Sequence, residues 1–365
     1  MAEFSMHLND DQIQIKDWIH QFAVEHIRPH AQEWDDREEF PWPIVQEASK
    51  IGLYGFEFLM NAMADPSGLT MPVAIEEIFW GDAGIGMAIM GSGLAAAGIA
   101  GNGTPEQMME WVPQCYGTAD DVKVGAFCVS EPDAGSDVSS LRTRAVYDEA
   151  KDEWVINGQK VWNTLAHLAD WGMLVTRTDP DQPKHKGMTY FALDMRSPGV
   201  EVRPLRQITG EAEFNEVYMT DARVPDSQRV GEIGEGWRVA LTTLMNERTA
   251  IGGGGGGNAK RRGPIDETFR IWKELAPELQ TGAHKDQMMQ LYCKSEALRL
   301  TNARGAAAAK AGNPGPEGSI AKLMLAEFNK KVTEFSVELL GANGMVNYDF
   351  TFRRPDGLSV YGSEG

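Results

Sequence analysis

Residues 127–138 read FCVSEPDAGSDV, and the organisation of the whole chain follows from how this stretch is read. It starts as an alternating strand, with Val124, Ala126 and Cys128 on one face and Phe127 and Val129 on the other. At Ser130-Glu131-Pro132 the alternation breaks into a turn carrying Gly135, Ser136 and Asp137. Pro132 cannot donate to a ladder and Gly135 tolerates positive φ, so the loop can present backbone N–H groups, the Ser130 and Ser136 hydroxyls and two carboxylates. A strand feeding such a loop suits a large polar ligand. A plain hairpin end has the same composition, and the stretch alone does not separate the two readings.

Residues 155–164, VINGQKVWNT, follow. Asn157-Gly158 between two apolar alternating runs predicts a hairpin turn, and the returning strand ends in Trp162-Asn163-Thr164, an aromatic plane beside a hydroxyl. Together the two strand ends resemble the paired flavin-binding segments of the acyl-CoA dehydrogenase family, usually T-E-P-x-x-G-S-D and W-I-T; Ser130 stands for the first Thr and Asn163 for the Ile. The resemblance implies FAD as cofactor. It places Phe127, Val129 and Ser130 at the pyrimidine end of the flavin, Trp162 and Thr164 near its N5, and Ser136 against CoA.

Composition agrees with a globular chain of two or three structural units: 365 residues, 42% hydrophobic and 24% charged. A formal charge of −19 argues against nucleic acid and anionic membrane surfaces as partners, so an anionic ligand must be met by local donors. Cys115, Cys128 and Cys293 are too few and too scattered for a disulfide framework or a zinc site, which points to a reducing cytoplasm. The first residues lack a basic, then apolar, leader pattern, and no stretch is read as the ~18 uninterrupted apolar residues of a membrane span. The expectation is a protein neither exported nor inserted in a membrane.

Along the chain, Asn9 or Asp10 caps a helix whose Ile15, Trp18, Ile19, Phe22, Ala23 and Ile27 recur at spacings of three and four. His26 and His30 are four apart but have no third ligand nearby, so no metal site is expected. Helices are predicted over 42–53 and 72–86. Gly91-Ser92-Gly93-Leu94-Ala95-Ala96 matches a dinucleotide fingerprint formally. The chain then continues into a capping box, Thr104 with Gln107 and Pro105 at N1, so small residues for close helix packing are the better reading. From 121 to about 229 the period changes to two, with strands at 173–175, 188–193, 200–204 and 213–219, and helical patterning resumes at 234. This order gives an α+β chain: an N-terminal helical domain (1–120), a middle β-barrel or sheet domain contacting flavin and CoA (121–230), and a C-terminal four-helix-bundle domain (231–365), as the resemblance implies.

In residues 237–251, Ala240, Leu244, Glu247 and Ile251 fall at i, i+4, i+7 and i+11, placing a carboxylate on an apolar stripe. Arg248 lies about 100° further round, toward a surface or interface, and joins Ser136 as a substrate-binding candidate. Some family members carry the catalytic base in such an E-R context; others carry it before a Gly near the C-terminus, where this chain has Glu364-Gly365. Glu247 is preferred for its cleaner local pattern, with Glu364 the alternative. Six glycines, 252–257, predict a helix end and a flexible connection. The family's R-x-x-F-G motif is not reproduced by Arg261, Arg262 and Phe269, and its Q-x-x-G-G-x-G appears with Glu338 in place of Gln. Both motifs contact a neighbouring subunit's flavin. The resemblance therefore implies an FAD-dependent acyl-CoA dehydrogenase of fatty-acid β-oxidation, oligomeric and reoxidised by an electron-transfer flavoprotein. The alternatives are a weakly active partner subunit of a hetero-oligomer, or a flavin oxidase or monooxygenase on the same fold.

Overall fold

The computed structural model describes residues 8–208, 210, 212–252, 264–310 and 315–346. Helices come first: α1 (Asp10–Phe22), α2 (Ala31–Arg37), α3 (Trp42–Lys50), α4 (Phe56–Met63), α5 (Thr70–Gly81), α6 (Ala83–Met90), α7 (Ser92–Asn102) and α8 (Pro105–Gln114). Asn9 is the cap of α1: its Oδ1 accepts from the Gln12 N–H at 2.9 Å, while Gln12 Oε1 accepts from the Asn9 N–H at 3.0 Å. The Thr104–Gln107 capping box of α8 forms as expected. The helix expected over 72–86 is instead divided, because Asp82 Oδ1 accepts from the Ile85 N–H at 2.8 Å and starts a new helix. Helix α4 was not anticipated.

The dinucleotide-like glycines sit at the junction of α6 and α7, in helix and not after a strand. Gly93 meets only ordinary contacts, and close approach is required at glycines outside that motif. A Cβ on Gly98 would lie 2.6 Å from Tyr190 Oη, and one on Gly125 would lie 2.7 Å from Ala95 Cβ. Residues 83–102 are long and apolar enough to cross a membrane by length and average composition, although Ser92 interrupts the run and 56% of the window is buried within the protein.

Eight strands follow: β1 (Gly125–Cys128), β2 (Arg144–Asp148), β3 (Glu153–Thr164), β4 (Trp171–Arg177), β5 (Met188–Asp194), β6 (Val200–Pro204), β7 (Phe214–Pro225) and β8 (Arg229–Val230). They form one sheet in the order β6-β7-β3-β2-β4-β5-β8, with β1 parallel to β4. Trp154, Ile156, Leu174, Phe191, Val217 and Met219 fill its core. Asn157-Gly158 is not the hairpin turn. The β2–β3 turn lies at 149–152, and β3 runs through 157–158 with a register shift between Ile156 and Gly158. Asn157 instead reaches across to β7, donating to Asp221 Oδ1 at 3.0 Å and accepting from the Asp221 N–H at 2.9 Å. Glycine is required beside it because a Cβ there would lie 2.7 Å from Thr143 Cα.

After β8 come α9 (Gly236–Gly252), α10 (Pro264–Glu274), α11 (Gly282–Lys310) and α12 (Glu317–Leu340). By contacts the chain divides into two compact units. One comprises Gln21–Pro66 and Gly81–Asn246 and holds the sheet. The other comprises the described parts of Met1–His20, Ser67–Trp80 and Glu247–Gly365. Within this second unit α10, α11 and α12 share an apolar core of Ile265, Met288, Leu291, Phe328, Val332 and Phe335. His20 meets the buried Glu77 at 2.7 Å there and lies 4.4 Å from the Trp80 ring.

Candidate functional site

The structure brings the two quoted segments together. Where the chain leaves β1, the Ser130 carbonyl accepts from the Val161 N–H of β3 at 2.9 Å. Beneath this bond Lys160, 0% exposed, donates to the Val129 carbonyl at 2.9 Å and to Glu131 Oε1 at 2.8 Å. Glu131, 8% exposed, also accepts from the backbone N–H groups of Arg142 (2.6 Å) and Thr143 (2.9 Å) at the start of β2. Burial opposes its charge, but the Lys160 ammonium and these donors prevail and hold the carboxyl below its ordinary range. Sequence reasoning missed this pair. Its signal was present: Lys160 shares the inward parity of Trp154 and Ile156, where an alternating strand places core.

Past Lys160, β3 bulges: the register against β7 shifts between Lys160 and Asn163. Trp162 sits in the bulge with φ +63° and is 55% exposed, its ring edge-on to Phe214 at 5.7 Å. A left-handed tryptophan is strained, and such strain persists where the surroundings impose it. Asn163, 1% exposed, replaces the apolar residue usual at this point. Its burial is compensated by Asn215 of β7, with Asn163 Nδ2 to the Asn215 carbonyl at 3.4 Å and Asn215 Nδ2 to the Asn163 carbonyl at 3.1 Å. Asn215 Nδ2 is also 3.0 Å from His167 Nδ1, and burial lowers the pKa of that imidazole. Both amide oxygens remain without a hydrogen-bond partner among the described residues. Thr164 is exposed, Phe127 and Ser130 are half-buried and Val129 is buried. An exposed aromatic plane, two hydroxyls and a fixed backbone at paired strand ends fit one subunit's half of a flavin site.

Ser136 is exposed in the loop after Glu131. Next to it the Asp137 carboxylate accepts from Ser139 Oγ at 2.5 Å, from Ser140 Oγ and from Lys184 Nζ at 2.6 Å, and these donors hold it well below the carboxylate range. A cavity of about 360 Å³ opens here, lined by Ser139, Ser140, Arg142, Arg144, Arg177 and Lys184 among others. Arg177 shapes it, donating to the carbonyls of Ser139 (2.6 Å) and Lys184 (2.8 Å). In a chain of charge −19 this is a local cluster of cations of the kind an anionic ligand needs.

Glu247 and Arg248 lie in α9, whose Val239, Ala240 and Thr243 are buried, but their side chains are outside the described residues. Glu364, most of the glycine run and Arg261–Arg262 are outside them as well. Glu338 is exposed near the end of α12. No cluster of three potential metal ligands occurs among the described residues, His26 and His30 included.

Helices, then a sheet whose β1 and β3 ends are joined by a buried ion pair, then helices again: this is the α+β class of three-part flavoprotein folds that the sequence indicates. Three family models match in succession: the acyl-CoA dehydrogenase N-terminal domain at residues 9–117, the middle domain at 126–222 and the C-terminal domain at 234–354. The chain belongs to the acyl-CoA dehydrogenase family. It is 41% identical over 262 residues to acyl-CoA dehydrogenase FadE34 of Mycobacterium tuberculosis, covering 70% of this chain and 35% of that protein. To acyl-CoA dehydrogenase IpdE1 of the same organism it is 35% identical over 255 residues, 68% of this chain and 63% of that one. Among solved structures, a putative acyl-CoA dehydrogenase from Mycobacterium smegmatis superposes with a TM-score of 0.76 at 25% identity, covering 94% of this chain and 91% of that chain. A glutaryl-coenzyme A dehydrogenase in complex with glutaryl-CoA has a TM-score of 0.74 at 24% identity, covering 93% and 88%, and shares the fold.

Proposed function

We propose that the chain is an FAD-dependent acyl-CoA dehydrogenase that converts an acyl-CoA thioester to the α,β-enoyl-CoA. The observation that carries this reading is the pair of strand ends fixed side by side, with Trp162 exposed and left-handed at the tip. Phe127, Val129 and Ser130 hold one end of the flavin ring, and Trp162 and Thr164 the other. When bound, FAD supplies the acceptor for the β-hydride. Glu247 removes the α-proton that the thioester acidifies, with Glu364 the alternative base. Ser136 and Arg248 contact the substrate, and the cationic cavity around Arg144 and Lys184 takes the phosphates of the CoA nucleotide. Reoxidation is by an electron-transfer flavoprotein. Exposed Leu300, Leu323, Met345 and Val346 on the α11–α12 unit supply the apolar surface of an oligomer, and the free thiols of Cys115, Cys128 and Cys293 fit a reducing cytoplasm.

A second reading, a weakly active partner subunit in a hetero-oligomer, is favoured by the exposed Glu338, a carboxylate where the family pattern offers Gln to a neighbour's flavin. One experiment decides between them. The full chain is purified alone, its visible spectrum recorded, and acyl-CoA thioesters are mixed in without oxygen. A yellow protein bleached by substrate supports the dehydrogenase. A colourless protein that gains flavin only with a second subunit supports the partner reading, and rapid O₂ consumption would mark an oxidase or monooxygenase.

A further inference from the structure

The Lys160–Glu131 pair touches three segments at once, and its placement says more than that the sheet is stable. A buried ion pair is a weak stabilising device, since well-packed apolar residues of the same volume commonly serve as well or better. What a pair supplies that an apolar contact does not is direction. Lys160 Nζ draws the Val129 carbonyl inward. The peptide bonds here are trans, so the Ser130 N–H, in the same planar unit, is turned to the opposite side. Glu131 takes the N–H groups of Arg142 and Thr143 and so locks the loop that leaves β1 onto the start of β2. Lys160 also stands immediately before the bulge, one residue from Val161, whose N–H closes onto the Ser130 carbonyl, and two from the strained Trp162.

We propose that Lys160 and Glu131 are positioning residues for the flavin: the buried pair sets the orientation of the Val129–Ser130 peptide and the height of the Trp162 bulge, and thereby the pose of the ring between them. This inference rests on the flavin reading above. Neither side chain reaches the ligand; both act through backbone that does.

The test compares the full-length protein with Lys160→Met, Glu131→Gln and the double variant carrying both changes. Three quantities are read: the melting midpoint without flavin, the FAD dissociation constant from titration of the flavin-free chain, and the visible circular dichroism of the bound flavin. Each single variant leaves one buried charge unpaired and is expected to melt lower, to bind FAD at least about tenfold more weakly and to give an altered dichroism band. The double variant removes both charges, so its melting midpoint returns toward wild type, while its FAD affinity stays low and its dichroism altered. Recovery of affinity and dichroism along with melting would reduce the pair to a structural role and overturn the inference, as would wild-type affinity and dichroism in the single variants. If the singles fail to fold, the double variant decides alone. A wild-type chain that binds no FAD would overturn the flavin reading, and this inference with it.

Discussion

Gly98→Ala is expected to destabilise the protein although alanine is the better helix former. Gly98 lies in α7, and a Cβ there would stand 2.6 Å from Tyr190 Oη, 3.0 Å from Tyr190 Cζ and 3.2 Å from Thr243 Oγ1. Tyr190 and Thr243 are both fully buried, the first in β5 and the second in α9, so neither ring nor hydroxyl can swing into solvent. Accommodating an added methyl in a full core costs about 1–3 kcal/mol, and helix propensity returns about 1 kcal/mol. The net expectation is a loss of up to roughly 2 kcal/mol, toward the upper end because the clash is with fully buried atoms. Urea unfolding of the sheet-bearing region, followed by tryptophan fluorescence, measures it. The decisive comparison is a double-mutant cycle with Tyr190→Phe, which deletes the nearest atom: most of the alanine penalty should disappear in the Phe background. Equal or greater stability of Gly98→Ala in the wild-type background, or additivity of the two changes, would refute the packing argument.

Glu131→Gln should cost about 3–5 kcal/mol at neutral pH by stranding the Lys160 charge. Because the folded pKa of Glu131 is depressed, its contribution is complete above the ordinary carboxylate range and lost as pH falls through the folded value, so the wild-type advantage over the variant, read from urea midpoints, should shrink on acidification. Glu247→Gln should lower the rate of flavin bleaching by acyl-CoA about 10²–10⁴-fold in anaerobic stopped flow and leave flavin bound, whereas Glu364→Gln should retain bleaching; the reverse pattern reassigns the base. Trp162→Ala should weaken FAD retention, checked by dialysis and absorbance. Arg144→Glu should raise KM for acyl-CoA and flatten its salt dependence with kcat little changed, and an unaltered KM would remove the cationic cavity from substrate binding.

Local signals served well where structure is local. The strand over 200–204, the capping box at Thr104 and the helix start at Asn9 were legible because each depends on residues within a few positions. The Asn157-Gly158 signal pointed to a turn because its chemistry is that of a turn. The constraint that won is the approach of Thr143, the residue just before β2, a contact that no window around 157 contains. Asn163 was conspicuous as a polar residue in an apolar place, yet its compensation by Asn215 depends on the β3–β7 register, set 52 residues apart. The Lys160–Glu131 pair, 29 residues apart, was half legible: strand parity marks Lys160 as inward, and only the fold supplies its partner.

The unit built from the first residues, a short middle segment and the last third of the chain imposes an order on biosynthesis. Helix α1 leaves the ribosome early, but most of the unit it belongs to is encoded beyond residue 247. At translation rates of ~5–20 residues per second, about 10 to 50 s separate the synthesis of Ile19, fully buried in the finished protein, from that of α10. The sheet-bearing unit, complete by residue 246, can close during that interval. Through that interval α1 and α5, which meet through His20 and Glu77, wait for the larger part of their unit, so the yield of folded protein should depend on how fast the ribosome reaches α10.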